Sequence, residues 1–203
     1  MQTKTFDHIP PLLQKVADMG YAIFTKRDYD LNLIGVRSPS REAGAFDDLF
    51  HVIYKDKDRY IQETFACTTD AGVYWLHNPS RVEGTAILKA GQYRGVWSLG
   101  LHRGRYTGLI QKHGKVTVWR DKDRDSELDM DAGTEMTGYF GINIHRAHNV
   151  RIMQNVDRWS AGCTVIQHPA DFARLIKLCE MQVDKNARYG DGYKRFTYTL
   201  LED

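Results

Sequence analysis

The chain has 203 residues, of which 42% are hydrophobic and 11% aromatic, and its 28 basic and 26 acidic side chains leave a net charge of +2. This composition excludes a mainly disordered or fibrous chain and is typical of one compact domain with a proper core. A charge so near zero gives no general signature of polyanion binding, so no nucleic acid partner is expected.

The first predicted element is a short helix over residues 9–19, because Pro10 and Pro11 suit a first helical turn and Gly20 suits a helix end. Apolar runs bounded by glycine and charged residues predict the strands that follow. In chain order these are residues 21–24, 31–36, 49–54, 65–67, 72–75, 85–88, 96–99, 106–110 and 116–119. Helical spacing predicts a second helix over residues 171–181, and residues 195–200 form a last predicted strand.

The order of these elements predicts the fold class. Short strands at close intervals favour antiparallel strands in a sandwich or barrel over βαβ units. We therefore expect one β-rich α+β domain over residues 1–203. Its core is predicted over residues 64–203, and residues 1–60 are treated as an N-terminal extension or decoration.

Cysteine usage and the N-terminus bear on the compartment. Three cysteines, Cys67, Cys163 and Cys179, cannot all pair within one chain, so no disulfide framework is expected. The first residues have no apolar h-region, and no stretch approaches the roughly 18 apolar residues of a membrane span. The expectation is a protein made in the cytoplasm, with no signal peptide and no membrane partner.

Two short segments carry the chemistry. The first, residues 139–148, is predicted to deliver His145 at the end of a strand, and the second, residues 159–166, places Cys163 after a turn at Ser160. A thiol is nucleophilic as the thiolate, so it needs a base such as His145. Backbone N–H groups at Gly162 and Cys163 are candidate donors to an oxyanion, and Ser160 is expected to bond within the turn or to the substrate.

These residues resemble a known signature. Ile144-His145, followed by Ser160-x-Gly162-Cys163, is similar to the motif of the L,D-transpeptidase (YkuD-like) catalytic domain family. The resemblance implies a β-sandwich-like catalytic domain in which Cys163 is the nucleophile, His145 is the general base, and Gly162 and Cys163 form the oxyanion hole. It implies no cofactor and no metal. A backbone carbonyl often orients the histidine in that family.

The resemblance also implies a substrate and a reaction. The substrate class is the peptidoglycan stem peptide that contains meso-diaminopimelate and D-alanine. The thiolate attacks the carbonyl of the third stem residue, and the thioester acyl-enzyme is resolved by water (L,D-carboxypeptidase) or by an amine (L,D-transpeptidase or D-amino-acid exchange). With no secretion signal visible, a phage lysin or a delivered antibacterial effector that meets the cell wall after delivery or lysis is expected.

The sequence departs from the family pattern at two places. Arg146 follows His145 where the family commonly has glycine, and residues 164–166 lack the family's usual arginine after the cysteine. In the family this missing arginine helps to arrange the substrate pocket, so its absence bears on the choice of acceptor and on the balance between hydrolysis and transfer. Four side chains near the motif are predicted to contact substrate: Arg146, Trp159, His102 from the basic turn at residues 102–105, and Tyr139.

Other interpretations of the cysteine and histidine remain open. A buried Cys163 beside a hydrogen-bonded core His145 would explain each residue singly, but not their combination with Ser-x-Gly. A zinc site would need His145, His148, His168 and Cys163 to converge. Alkylation separates these hypotheses, because a thiol activated by histidine is expected to react with iodoacetamide below pH 7.

An acidic segment is a candidate for calcium binding. Residues 121–131 place carboxylates at alternate positions, as in a calcium loop, but Ser126 and Ala132 stand where an EF-hand needs glycine and glutamate. A solvated loop is predicted there, with a weak calcium site left open.

The alternative function is a non-enzymatic cell-wall-binding or phage structural module that retains the fold.

Overall fold

A computed structural model describes residues 1–202 of the protein. These residues form twelve β-strands, namely β1 (Gln2–Phe6), β2 (Asn32–Arg37), β3 (Asp48–Asp56), β4 (Arg59–Thr68), β5 (Thr85–Leu88), β6 (Gly91–His102), β7 (Tyr106–Gln111), β8 (Val116–Asp121), β9 (Met136–Gly138), β10 (Ile144–Arg146), β11 (Thr164–Ile166) and β12 (Phe196–Glu202). They also form three α-helices, α1 (Pro11–Asp18), α2 (Val73–His77) and α3 (Pro169–Asn186), and two short 3-10 helices, Ala187–Tyr189 and Asp191–Lys194.

The main sheet closes into an eight-stranded mixed barrel. Its strands follow the order β4-β11-β10-β7-β6-β12-β2-β3, and β3 pairs back onto β4, while β1 is attached outside the ring along β4. The predicted β-sandwich is therefore wrong. Two of the barrel pairings, β10 with β11 and β12 with β2, are parallel, so the sheet is not purely antiparallel either.

The closure has a physical cause in strand β4. On one side β4 pairs with β3 over the whole hairpin from Asp48↔Cys67 to Asp56↔Arg59. At its C-terminal end the other side of β4 pairs with β11, so the hydrogen-bonding groups of both edges are used within one sheet and no open edge remains there. Because β2 and β3 are barrel strands, residues 1–60 contribute to the wall of the barrel.

The main core lies inside the barrel and beneath α3. Its fully buried members come from most barrel strands and from α3, and the largest are Trp97, Tyr54, Tyr198, Phe50, Phe65 and Phe196. Burying aromatic side chains of this size is the dominant stabilising contribution to such a core. Arg174 of α3 also forms an ion pair with buried Glu63 of β4 at 2.6 Å.

Two smaller cores complete the packing. Helix α1 covers the outer face of β2, β3 and β12 through Leu13 and Val16, which contact Ile34, Ile53 and Leu201. A separate three-stranded sheet, in the order β5-β8-β9, stands beside the barrel. Its own cluster contains Ala71, Leu76, Ile87, Trp119 and Leu128.

Most predicted elements are confirmed, including α1 and α3, and two are wrong. Residues 21–24 form no strand, because side-chain amides replace the strand partner: Gln92 accepts the Ala22 N–H, and Asn32 accepts the Phe24 N–H. Residues 73–77 form α2 instead of a strand, with the Trp75 N–H bonded to the Gly72 carbonyl. None of the helices formed by residues 1–202 is long and apolar enough to cross a membrane.

Candidate active site

The position of Cys163 follows from the parallel pairing of β10 and β11. His145 pairs with Val165, and residues paired across strands, like residues two apart along a strand, point to the same face. Cys163, two residues before Val165, therefore shares a face with His145. The Asn143 N–H donates to Cys163 Sγ at 3.4 Å, and the Cys163 thiol donates to the Gly141 carbonyl at 3.4 Å.

The turn before Cys163 is held by Ser160. Its fully buried hydroxyl donates to the Cys163 carbonyl at 2.7 Å and accepts the Gly162 N–H at 3.1 Å. The Ser160 carbonyl accepts the Gly72 N–H. Of the two roles predicted for Ser160, the structure shows the one within the turn, where its hydroxyl positions the backbone of Gly162 and Cys163.

Gly162 is required by backbone geometry. Its φ of +110° lies in the region that favours glycine, and a Cβ there would collide with the Ala86 carbonyl oxygen of β5. Since its N–H is bonded to Ser160, Gly162 does not offer a free donor to an oxyanion. The Cys163 N–H has no acceptor among residues 1–202 and is the remaining candidate donor.

His145 is held by a backbone carbonyl. Its Nδ1 lies 2.9 Å from the Arg146 carbonyl oxygen, and the Tyr106 hydroxyl lies 3.4 Å from the same nitrogen. A carbonyl only accepts hydrogen bonds, so Nδ1 carries the proton and Nε2 keeps a free lone pair in the neutral ring. This tautomer suits a general base that acts through Nε2.

A second histidine stacks on the first. The rings of His102 and His145 lie 4.1 Å apart at an interplanar angle of 21°. The side chain of Asn143 bridges to His102: its Oδ1 accepts the Gln111 N–H, which fixes the orientation of the amide, and its Nδ2 lies 3.3 Å from His102 Nδ1. The Asn143 amide donates to His102 Nδ1, so this lone pair is occupied, and His145 is the better base of the two.

A glycine lies next to the two histidines. Gly108 of β7 lies beneath them, and a Cβ on this residue would come within 3.6 Å of His102 Cβ, 3.9 Å of His145 Cβ and 3.2 Å of the Ile144 carbonyl. The Ile144 carbonyl gives the tightest of these contacts, and the distances to the two histidine Cβ atoms are ordinary van der Waals distances. Three neighbouring strands, β6, β7 and β10, thus cooperate to place the histidine pair.

Both catalytic candidates are neutral at rest. Burial lowers the pKa of His145 to about 3, with a further contribution from the proximity of His102. Burial likewise raises the pKa of Cys163 above its ordinary value, against the opposing effects of the Asn143 N–H and the charge of Arg103. At rest Cys163 is therefore a thiol and His145 a neutral imidazole on the same face of the β10–β11 pair, because neither charged form is favoured in this buried setting.

This resting state changes the expected chemistry of alkylation. We expect iodoacetamide to modify Cys163 more slowly than it modifies glutathione at neutral pH, with a rate that rises into the alkaline range, because the thiolate is the reactive form. Intact-mass kinetics between about pH 6 and pH 10 measure this rate. Cys67 and Cys179, both fully buried, serve as internal controls that stay unmodified. Reaction faster than glutathione at about pH 6 would contradict the neutral pair.

Of the other residues predicted to contact substrate, one lies near His145 and two lie in the adjoining loops. Arg146 lies beside the histidines, with its guanidinium 4.1 Å above the ring of Tyr106. Trp159 is half-buried and packs edge-on against His148 at 5.9 Å. Tyr139 is 59% exposed, just before the loop that contacts the Cys163 thiol. The structure thus brings His102 and Arg146 to His145, and leaves Trp159 and Tyr139 in the adjoining loops.

Three residues that contact or lie near the candidate site are not indicated by the sequence motifs. Asn143 connects Cys163 to His102, and the alternation of Ile142 and Ile144 with Asn143 and His145 was the available signal. Tyr106 donates to the Arg146 carbonyl beside His145. Arg103, in the basic turn already noted for His102, supplies a positive charge that lowers the pKa of His102, His145 and Cys163.

The zinc alternative is not supported. Within residues 1–202, only Asp121, Asp123 and Asp129 form a group of three or more potential metal ligands. His148 instead accepts the N–H groups of Val150 and Arg151 through Nδ1. The four residues considered for zinc do not converge.

A cationic cavity adjoins the turn that precedes Cys163. It has a volume of about 100 Å³, and its lining includes Ala161 and Phe140 together with Arg81 and Arg120. Arg120 is 7% exposed, lies 4.6 Å above the Phe140 ring, and has an Nε atom without a hydrogen-bond partner. Burial and the nearby charge of Arg81 lower the pKa of Arg120. Two guanidinium groups and an unpartnered donor favour an anionic ligand.

A search of the sequence against models of known protein families finds no match, and a search of curated proteins finds none either. The resemblance to the L,D-transpeptidase family therefore rests on the motif residues alone.

Proposed function

We propose that this protein is a cysteine enzyme similar to L,D-transpeptidases, which acts on the stem peptide of peptidoglycan through a thioester acyl-enzyme. The observation that carries the proposal is the tautomer of His145. Its Nδ1–H is fixed on a backbone carbonyl, which leaves the Nε2 lone pair free on the face that it shares with the Cys163 thiol.

The first step is deprotonation of the thiol. At rest the Cys163 proton is directed to the Gly141 carbonyl. When substrate enters, the S–H group turns to His145 Nε2, and Sγ attacks the carbonyl of the third stem residue. The developing oxyanion accepts a hydrogen bond from the Cys163 N–H. The imidazolium that forms donates its proton to the leaving amine, D-alanine, as the thioester remains.

The cationic cavity supplies substrate recognition. A stem peptide carries carboxylates at diaminopimelate and at its terminal D-alanine, and Arg81 and Arg120 lie beside the turn that holds Cys163. In the family, an arginine shortly after the cysteine helps to arrange this pocket, and Thr164 to Ile166 lack it here. Arg120 from β8 takes over the positive charge in this proposal.

The acyl-enzyme is resolved by water or by an amine. We favour hydrolysis or exchange of a D-amino acid over cross-linking, because the departures from the family motif fall in the region that arranges the substrate. A lysin or a delivered effector that acts on the cell wall is consistent with this choice.

The experiment is mass spectrometry of purified muropeptides incubated with the protein, with and without a supplied D-amino acid. Loss of D-alanine from tetrapeptides identifies an L,D-carboxypeptidase, and exchange or a new cross-link identifies a transpeptidase. If the cationic cavity binds a carboxylate of the substrate, stem peptides with amidated carboxylates are expected to react more slowly than stem peptides with free carboxylates.

A lack of any reaction with muropeptides would contradict the proposal. Unchanged monomers and dimers, with no acyl adduct on Cys163 in the intact protein, would overturn the enzyme proposal. Retention of such an inactive protein on purified cell walls would then favour the wall-binding module.

A further inference from the structure

The acidic segment after β8 differs from the solvated loop expected of it. Asp121, the last residue of β8, is 0% exposed, while Asp123 is exposed and Asp129 is half-buried. One carboxylate oxygen from each of the three lies within 4.8 Å of the others. Like charges so close together repel one another, which makes the group costly without a counter-charge.

An unsatisfied atom supports a ligand at this group. Asp121 Oδ2 accepts the Asp129 N–H at 3.0 Å, but the fully buried Oδ1 has no hydrogen-bond partner. A buried carboxylate oxygen is normally paired, and an orphan of this kind requires an explanation.

The protein's own cations do not supply the counter-charge. Within residues 1–202, no lysine, arginine or histidine nitrogen forms an ion pair with Asp121, Asp123 or Asp129. Lys122 and Arg124 alternate with these acidic residues but lie exposed.

We propose that Asp121, Asp123 and Asp129 bind a Ca²⁺ ion that fills the space beside the orphaned Asp121 oxygen. Hard oxygen ligands on a flexible loop suit Ca²⁺, which takes six to eight oxygens, better than Mg²⁺, which demands near-octahedral geometry and keeps its waters. The site is not an EF-hand, because Ser126 and Ala132 replace the glycine and glutamate of that motif.

The location of the site gives the ion a structural consequence. The loop runs from the end of β8 into β9, and residues 139–141 follow directly. Gly141 accepts the hydrogen bond of the Cys163 thiol. A bound Ca²⁺ would therefore stabilise the loop that leads to residues 139–141, and with it the Gly141 carbonyl that contacts the Cys163 thiol.

The test is calcium titration of chelator-treated full-length protein by calorimetry and thermal unfolding, at constant ionic strength. We expect one site with a Kd between about 10⁻⁶ and 10⁻³ M. A rise in Tm of about 5 °C or more is expected at a Ca²⁺ concentration roughly 100 times the Kd. MgCl₂ is expected to bind at least about tenfold more weakly.

Two variants of equal charge separate coordination from general electrostatics. Asp123→Asn should weaken Ca²⁺ binding about tenfold or more, whereas Asp131→Asn, in the same loop but outside the group, should change it by less than about threefold. Asp121→Asn should raise the Tm of the metal-free protein and abolish the calcium-dependent shift, because it removes the buried charge.

Three results would overturn the proposal: no heat or Tm shift at about 10 mM CaCl₂, equal weakening by the two loop variants, or an equal response to magnesium. Binding is measured without any substrate, so this inference stands or falls separately from the proposed enzymatic function.

Discussion

Replacement of Cys163 with alanine is expected to abolish the release or exchange of D-alanine from muropeptides, with a loss of about 10⁴-fold or more in kcat. No other described side chain can take over, because Cys67 and Cys179 are fully buried elsewhere in the barrel core. The measurement is the rate of product formation by mass spectrometry, together with the thermal stability of the variant.

The matched control is Cys179→Ala, in α3. It removes a thiol of the same kind from the core and is expected to lower stability by about 1 kcal/mol while the rate per folded molecule is unchanged. If Cys163→Ala kept its activity, or if Cys179→Ala lost as much, Cys163 would not be the nucleophile.

Replacement of His145 with glutamine is expected to lower kcat by about 10²- to 10⁴-fold, because glutamine cannot take the thiol proton. The protein should remain folded, since a side-chain amide can still donate to the Arg146 carbonyl that now accepts from Nδ1. Single-turnover formation of the acyl-enzyme, followed by intact mass, isolates the affected step.

His102→Gln and His113→Gln are the comparison variants. His113 lies exposed in the turn between β7 and β8, so its replacement should leave activity unchanged. His102 is a positioning residue, and its loss is expected to cost less than about 10²-fold. If His102→Gln were the more damaging change, His102 would be the base and the assignment from the tautomers would be wrong.

The pH dependence follows from the lowered pKa of His145. A folded-state pKa of about 3, against 6.5 for an ordinary histidine, means that the unfolded chain binds the proton more readily. His145 therefore lowers the free energy of unfolding as pH falls from 6.5 towards 3, and it has no such effect on stability above pH 6.5.

The acid limb of kcat/KM should also lie well below pH 6.5. It should move to higher pH in His102→Gln, because His102 helps to lower the pKa of His145.

Much of the strand pattern was predictable, because alternating or continuous apolar runs are local properties. Residues 85–88, for example, were predicted as a strand and form β5. The strand predicted at residues 21–24 does not form because its backbone bonds to side chains, one of them remote in sequence. The strand predicted at residues 72–75 does not form because a local turn begins helix α2. Gln92, seventy residues from Ala22, occupies the backbone group that a neighbouring strand would have used.

The sandwich prediction failed for a different reason. The same succession of short strands is compatible with an open pair of sheets and with a closed ring, since the pattern along each strand is identical in both. Closure depends on whether β4 pairs on both sides, with β3 next to it in the chain and with β11 about a hundred residues later. No local signal encodes such a choice.

The sequence by itself determined which residues carry the candidate chemistry, since Cys163, His145 and the Ser-x-Gly turn were recognisable from residue type and spacing. Only the tertiary structure decided their states. Protonation, tautomer and burial depend on atoms from several strands: the Arg146 carbonyl accepts the Nδ1–H of His145 and leaves Nε2 unprotonated, and Ser160 accepts the Gly162 N–H. The same holds for Asp121, whose charge is exceptional because the fold buries it among other carboxylates.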